Sequence, residues 1–155
     1  MTYSFETQTQ LAAERVVEVL ERGWCRRDLA QRIDSRYGRV GVAPASPDAR
    51  WFCLLGAVRR VESEADAIAS AYGEYHENWT EGLYERLHRT ALYHEAQSIS
   101  EWNDGYCLDG PDAISFVKEA MGPHGWSKPG SVKERKAEVR MADTLTEIAG
   151  LLGGE

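Results

Sequence analysis

The chain of 155 residues lacks several features that would assign it to a class of protein at once. It has three cysteines, Cys25, Cys53 and Cys107, but no CxxC pair, so neither a disulfide framework nor a zinc site is indicated. It has no run of about 18 apolar residues, which a membrane-spanning helix needs, and no basic start followed by the apolar stretch of a signal peptide. We therefore expect a cytoplasmic protein with reduced thiols and no membrane contact.

Motifs for nucleotides and metals are missing as well. The segment YGRVGVAP has glycines, but it lacks both the Lys-Ser/Thr end of a phosphate-binding loop and the three-glycine dinucleotide pattern. His88 and His94 share a predicted helix, where their separation places the two imidazoles about 120° apart around the axis. We predict no cofactor and no metal site.

Basic residues are scarce in the middle of the chain. The net charge is -7, and residues 61–120 carry 13 acidic side chains against 3 basic ones. Such a segment repels nucleic acid, so direct nucleic-acid binding is not expected, but it would attract a protein with a basic surface. The predicted partner-binding residues are Glu74, Tyr75, Glu77, Trp79 and Glu81.

Apolar residues at helical spacing are plentiful, and they predict the fold class. A first helix should run to Arg22 and end at Gly23, and Ser46-Pro47-Asp48 carries the signals of a second helix start. Further stripes lie within the acidic segment, and Pro111 and Asp112 mark the start of its last helix. The prediction is a mainly α, single compact domain of about five helices, with a long loop or a short hairpin between the first two.

A break rich in proline and glycine, PHGWSKPG, divides the chain near its end. We assign residues 1–122 to a helical core domain and residues 123–155 to a hinge followed by an amphipathic helix. That helix, residues 131–152, would pack either on the core or on a second copy of the chain, so a homodimer is one alternative.

Cys53 and Asp104 are the candidate catalytic residues. A cysteine nucleophile needs a base within hydrogen-bond reach and a group that orients the base, and one of the four histidines with Asn103 or Asp104 would complete such a set. The apolar neighbours of Cys53 favour a packing role instead, because burial raises the pKa of a thiol.

The segment SEWNDG is predicted to form a turn anchored by a tryptophan. It would either fasten onto the helix containing WFCLLGA as a structural latch or leave a pocket beside that helix. The residues of this latch or pocket are Trp51, Cys53, Gly56, Trp102, Asn103 and Asp104.

These motifs together resemble a family of small uncharacterised proteins common in actinobacteria and their phages. The matching positions are Trp24, Trp51, Cys53, Gly56, Ala57, Trp102, Asn103 and Asp104. The resemblance covers residues 16–61 and 99–121, and it implies a phage or host setting without implying a mechanism.

Three functions are compatible with the sequence. We expect a small non-catalytic protein-binding module, such as a phage-type accessory protein or an inhibitor of a host system, that acts through an acidic, aromatic-bearing surface. A Cys-dependent hydrolase or transferase centred on Cys53 is the first alternative, and a homo-oligomeric structural protein is the second.

Overall fold

The first helix of the computed structural model, which describes residues 4–64 and 79–122, begins at a serine cap. Helix α1 (Phe5–Arg22) starts where the Ser4 side chain accepts a hydrogen bond from the Thr7 N–H, and it ends at Gly23. The predicted end is confirmed. The sequence favours Thr7 or Thr9 as the cap, but the helix starts earlier, because Ser4 already satisfies a free N–H of the first turn.

Three short strands follow, where the sequence predicted a long loop or a hairpin and then a helix. Strands β1 (Ala30–Asp34) and β2 (Gly38–Val42) form an antiparallel hairpin, and β3 (Trp51–Phe52) pairs with β1 on its other side, giving the order β2-β1-β3. The prediction of a mainly α fold is therefore wrong, because five described helices pack with a three-stranded antiparallel sheet in a mixed α and β architecture.

The second helix begins well after the predicted start. Ser46 accepts hydrogen bonds from the N–H groups of Asp48 and Ala49, so the predicted helix start closes a turn instead. Trp51 and Phe52 then lie in β3, and helix α2 (Leu54–Ser63) starts with Cys53 as its N-cap. Because Trp51 and Phe52 pair with β1 in an extended conformation, the helix begins only after them.

Three helices complete the described fold. They are α3 (Glu81–Tyr93), α4 (Ile99–Gly105) and α5 (Gly110–Ala120). The predicted WND turn is wrong, because Trp102 and Asn103 lie within α4, which Ser98 caps by accepting from the Glu101 N–H. Asp109 caps α5 in the same way, ahead of the proline that the sequence placed at the helix start.

The core is built around α1, which packs against α2, α3, α5 and β3. Its fully buried side chains are dominated by aliphatic residues, with Trp102, Tyr106 and Phe52 as the largest aromatic ones. No helix among the described residues combines the length and apolar character that crossing a membrane demands. The predicted C-terminal helix, residues 131–152, lies outside the described part of the chain.

Candidate functional site

Asn103 joins three parts of the chain that are far apart in sequence. Its Oδ1 accepts from the Trp24 indole N–H at 2.8 Å and from the Leu54 backbone N–H at 2.9 Å. Its Nδ2 donates to the Cys25 carbonyl at 3.1 Å and to Asp104 Oδ1 at 3.0 Å. The side chain is fully buried, and each of its polar atoms makes two hydrogen bonds. We call Asn103 with these contacts of Trp24, Cys25 and Leu54 the Asn103 latch.

Asp104 extends the latch to the loop after α1. Its Oδ1 accepts the backbone N–H of Arg27 at 2.9 Å as well as the Asn103 amide. Arg27 has a positive φ of 73°, a conformation that costs free energy in a non-glycine residue and that this contact helps to hold. The carboxylate therefore orders backbone in the described structure.

Cys53 also serves the backbone. Its Sγ accepts from the Gly56 N–H at 3.2 Å at the start of α2, and its own N–H donates to the Leu29 carbonyl at 3.1 Å. A sulfur at an N-cap position takes the place that serine or threonine usually holds. The free N–H groups of the first turn are thus satisfied by Cys53 and, at Leu54, by Asn103.

Burial raises the pKa of all three thiols. Burial raises the pKa of Cys53 from 9.0 to about 11, against the lowering effect of the hydrogen bond from Gly56. Burial, followed by the nearby Cys53 and Asp28, raises the pKa of Cys25 to about 12. The pKa of Cys107 is raised as well, mainly by burial. A cysteine nucleophile needs the opposite shift, because the thiolate is the reacting species.

Gly56 marks a close approach between α2 and the strand-forming segment. A Cβ atom at this position would lie 1.7 Å from the Leu29 carbonyl oxygen, so no larger residue fits without moving backbone. This contact holds α2 against Leu29, the residue that directly precedes β1.

Trp102 and Trp51, two of the predicted latch or pocket residues, have different surroundings. Trp102 is buried and stacks on Phe116 at a centroid distance of 3.8 Å. Trp51 instead shares a sheet face with Gln31, its partner in β1, while the adjacent Phe52 points to the buried side. The Arg39 guanidinium lies 3.9 Å from the centroid of the Trp51 ring.

Neither histidine among the described residues hydrogen-bonds to a cysteine. His94 Nε2 lies 2.8 Å from Glu119 Oε2, a buried contact between the end of α3 and α5, and His88 stacks on Tyr84. Within residues 4–64 and 79–122, no group of three or more His, Cys, Asp or Glu side chains is arranged to hold a metal ion.

The predicted partner-binding residues are only partly covered by the structure. Glu74, Tyr75 and Glu77 lie outside the described residues. Trp79 is buried, and Glu81 is exposed in the first turn of α3. One of the two aromatic side chains expected on this surface is therefore in the core.

The β1–β2 hairpin carries an exposed set of side chains outside the predicted site residues. Tyr37 is 76% exposed and Ile33 54% exposed, with Arg36 and Arg39 exposed beside them. Asp34 Oδ1 accepts from the N–H groups of both Arg36 and Tyr37, which shapes the turn and lowers the pKa of Asp34.

We call Ile33, Arg36, Tyr37 and Arg39 the hairpin surface. The alternation of arginine with apolar residues in QRIDSRYGRV is the signal that could have identified it.

A cavity of about 240 Å³ lies elsewhere, between α1 and α5. It is lined by Gln10, Ala13, Glu14, Val17, Val117, Lys118 and Met121. This groove is mainly apolar, and it is separate from the Asn103 latch and from the hairpin surface.

A sequence model of a family of unknown function, DUF6197, matches residues 6–122. The chain belongs to the DUF6197 family. The match takes in every described helix and strand except the first residue of α1, and it includes residues 62–98, which the resemblance does not cover. No curated protein and no solved structure matches the chain. Membership in DUF6197 therefore identifies the family without adding an activity to the geometry described above.

Proposed function

We propose that this protein is a non-catalytic module that binds a partner protein through the hairpin surface. The observation that carries the proposal is the exposure of Tyr37 and Ile33 beside Arg36 and Arg39. Tyrosine and arginine are enriched among the residues that dominate binding free energy at protein interfaces.

The chemistry of Cys53 argues against the alternative of a Cys-dependent hydrolase or transferase. Its sulfur is engaged as a helix cap, and its pKa is raised to about 11 by burial. Asn103 and Asp104 direct their polar atoms to backbone and indole groups, which supports a structural role for the whole cluster.

The hairpin surface is basic, so the partner should present acidic groups. Binding through the acidic segment, as the sequence analysis predicts, stays a second proposal that concerns Glu74, Tyr75 and Glu77. The role of a phage-type accessory protein or host inhibitor belongs to the same proposal. The three free, buried thiols support a reducing compartment such as the cytoplasm.

The test compares two charge-reversed variants in affinity capture from a cell extract, with mass-spectrometric quantification. Arg36→Glu with Tyr37→Ser alters the hairpin surface, and Arg89→Glu with Tyr84→Ser makes the same changes at exposed positions of α3. We expect one protein captured by the natural chain to be lost with the hairpin variant only. Equal capture by both variants, or no protein captured above background, would contradict the proposal.

A further inference from the structure

Strand β2 forms an edge of the sheet, and its register determines which backbone groups face outward. The Leu29 and Gln31 carbonyls accept hydrogen bonds from the Cys53 and Arg50 N–H groups, so the odd-numbered residues of this segment bond toward β3. In an antiparallel ladder the alternate residues bond to the opposite neighbour. Ala30, Arg32 and Asp34 therefore bond to their register partners Val42, Val40 and Gly38.

It follows that Arg39 and Gly41 direct their N–H and C=O groups away from the sheet. Both residues are exposed, and among residues 4–64 and 79–122 no strand pairs with β2 on that side. Two residues with outward groups offer two donors and two acceptors, which is the arrangement that a neighbouring strand requires.

The side chains leave this edge open. Gly41 has none, and the Arg39 guanidinium reaches over the face of the sheet to the Trp51 ring, 3.9 Å from its centroid. β2 thus lacks two usual protections of an edge strand, a proline and a charged side chain directed across the edge.

We propose that the β2 edge binds an extended segment of an acidic partner protein as a fourth strand; this inference rests on the proposed function and specifies its binding mode. Main-chain hydrogen bonds to Arg39 and Gly41 would provide affinity, and alternate side chains would provide specificity.

The two faces of the sheet define the partner segment. Arg39 is exposed on one face of β2, so an acidic side chain of the added strand belongs opposite it on that face. A Cβ atom at Gly41 would lie 3.1 Å from Asp28 Oδ1, so an acidic side chain opposite Gly41 is unfavourable. Val40 and Val42 are partly buried on the other face, so apolar side chains belong on that side. The expected segment therefore has β-branched residues at every second position, with an acidic residue opposite Arg39 and a neutral polar residue opposite Gly41 between them.

A substitution at Gly41 tests the backbone contact. Gly41→Pro removes the outward N–H and fills the edge without removing a hydrogen bond to β1. Gly41→Ala is the matched control, because its added Cβ meets the same neighbour, Asp28 Oδ1 at 3.1 Å, and keeps the N–H. The probe is a synthetic ten-residue peptide with valine at every second position and glutamate and threonine by turns between the valines. Its counterpart has lysine in place of glutamate.

Fluorescence anisotropy should detect binding of the glutamate peptide to the natural chain and to Gly41→Ala. We expect binding to Gly41→Pro to be weaker by about tenfold or more, which equals about 1.4 kcal/mol. Amide exchange at Arg39 and Gly41 should slow when the peptide binds. Equal affinities of the two variants, or no binding of either peptide, would overturn the inference.

Two further measurements distinguish a failure of strand addition from misfolding of the variant and from a failure of the proposed function. If Gly41→Pro fails to fold by circular dichroism, Arg39→Glu replaces it, and this variant should prefer the lysine peptide to the glutamate peptide. If the partner captured from extract is lost with the Tyr37 and Arg36 variant but retained by Gly41→Pro, the proposed function stands and strand addition fails.

Discussion

At the scale of single residues, polar side chains hold the backbone at the ends of secondary-structure elements. Asn103, Asp104 and Cys53 each accept hydrogen bonds from backbone N–H groups at the ends of elements. An unsatisfied buried N–H costs about 1–3 kcal/mol, so these residues are placed where regular secondary structure leaves donors without partners.

Replacing Asn103 by leucine should destabilise the protein by about 2–4 kcal/mol, because the N–H groups of Trp24 and Leu54 lose their acceptor. Urea unfolding measures the loss. Ser100→Ala on the same helix is the control, with an expected change within about 0.5 kcal/mol. A double-mutant cycle with Trp24→Phe should return a coupling free energy of about 1 kcal/mol. A loss at Asn103 as small as that of the control would contradict this role.

The raised pKa of Cys53 predicts a loss of stability at alkaline pH. The unfolded thiol ionises near 9.0 and the folded one near 11, so the stabilisation is complete below pH 9.0 and is lost as the pH rises toward 11. Between about pH 8 and about pH 10 this thiol alone should lower the free energy of unfolding by about 1 kcal/mol.

Cys53→Ser is the matched variant for that measurement, because a hydroxyl keeps the helix cap and does not titrate in this range. Its free energy of unfolding should fall less steeply with pH than that of the natural chain. Parallel pH profiles for the two proteins would show that Cys53 is not the group responsible.

At the scale of elements, the sequence predicted the helices whose ends carry local signals. Gly23 ends α1, and a proline marks the first turn of α5, because such signals act within a few residues. The start of α2 was missed because Ser46-Pro47-Asp48 is equally suited to a turn, and only pairing of Trp51 and Phe52 with β1 decides between the two.

The candidate site shows the same division between local and long-range information. Helical spacing could not reveal that Asn103 reaches Trp24 and Leu54, since these contacts join residues 79 and 49 positions apart. Trp79 was expected at the surface from its acidic neighbours, yet it is buried, because the charge of adjacent residues does not specify which way one side chain points.

The contact between α2 and the residue before β1 predicts a severe effect of Gly56→Ala. With its Cβ only 1.7 Å from the Leu29 carbonyl oxygen, α2 must shift, and we expect a loss of more than about 3 kcal/mol or failure to fold. Gly105→Ala is the control, because nothing lies within 4 Å of its added Cβ. Thermal unfolding should leave the Gly105 variant unchanged within about 1 kcal/mol, and similar melting of both variants would refute the packing argument.

At the scale of the whole molecule, α1 is the element against which most others pack. Its residues Ala12 and Val16 are completely buried, whereas the hairpin surface is open to solvent. The molecule thus combines a helical core that resists opening with a hairpin held mainly by its own turn and ladder.

Native-state hydrogen exchange should resolve this difference. Amides in the middle of α1 should exchange only through global unfolding, so their protection should equal the free energy measured by urea. Amides of Arg36 and Tyr37 bond to the exposed Asp34 turn and should exchange through local opening, at least about tenfold faster. Equal protection of α1 and the hairpin would mean that the two open as one unit.

The Asn103 latch also has a consequence for biosynthesis. A chain made from its N-terminus presents the Trp24 indole and the first N–H of α2 long before residue 103 has been added. Until α4 leaves the ribosome, both donors must remain in contact with water, so the sheet cannot close permanently against α2. The first half of the molecule therefore completes its folding only when the last described helices arrive.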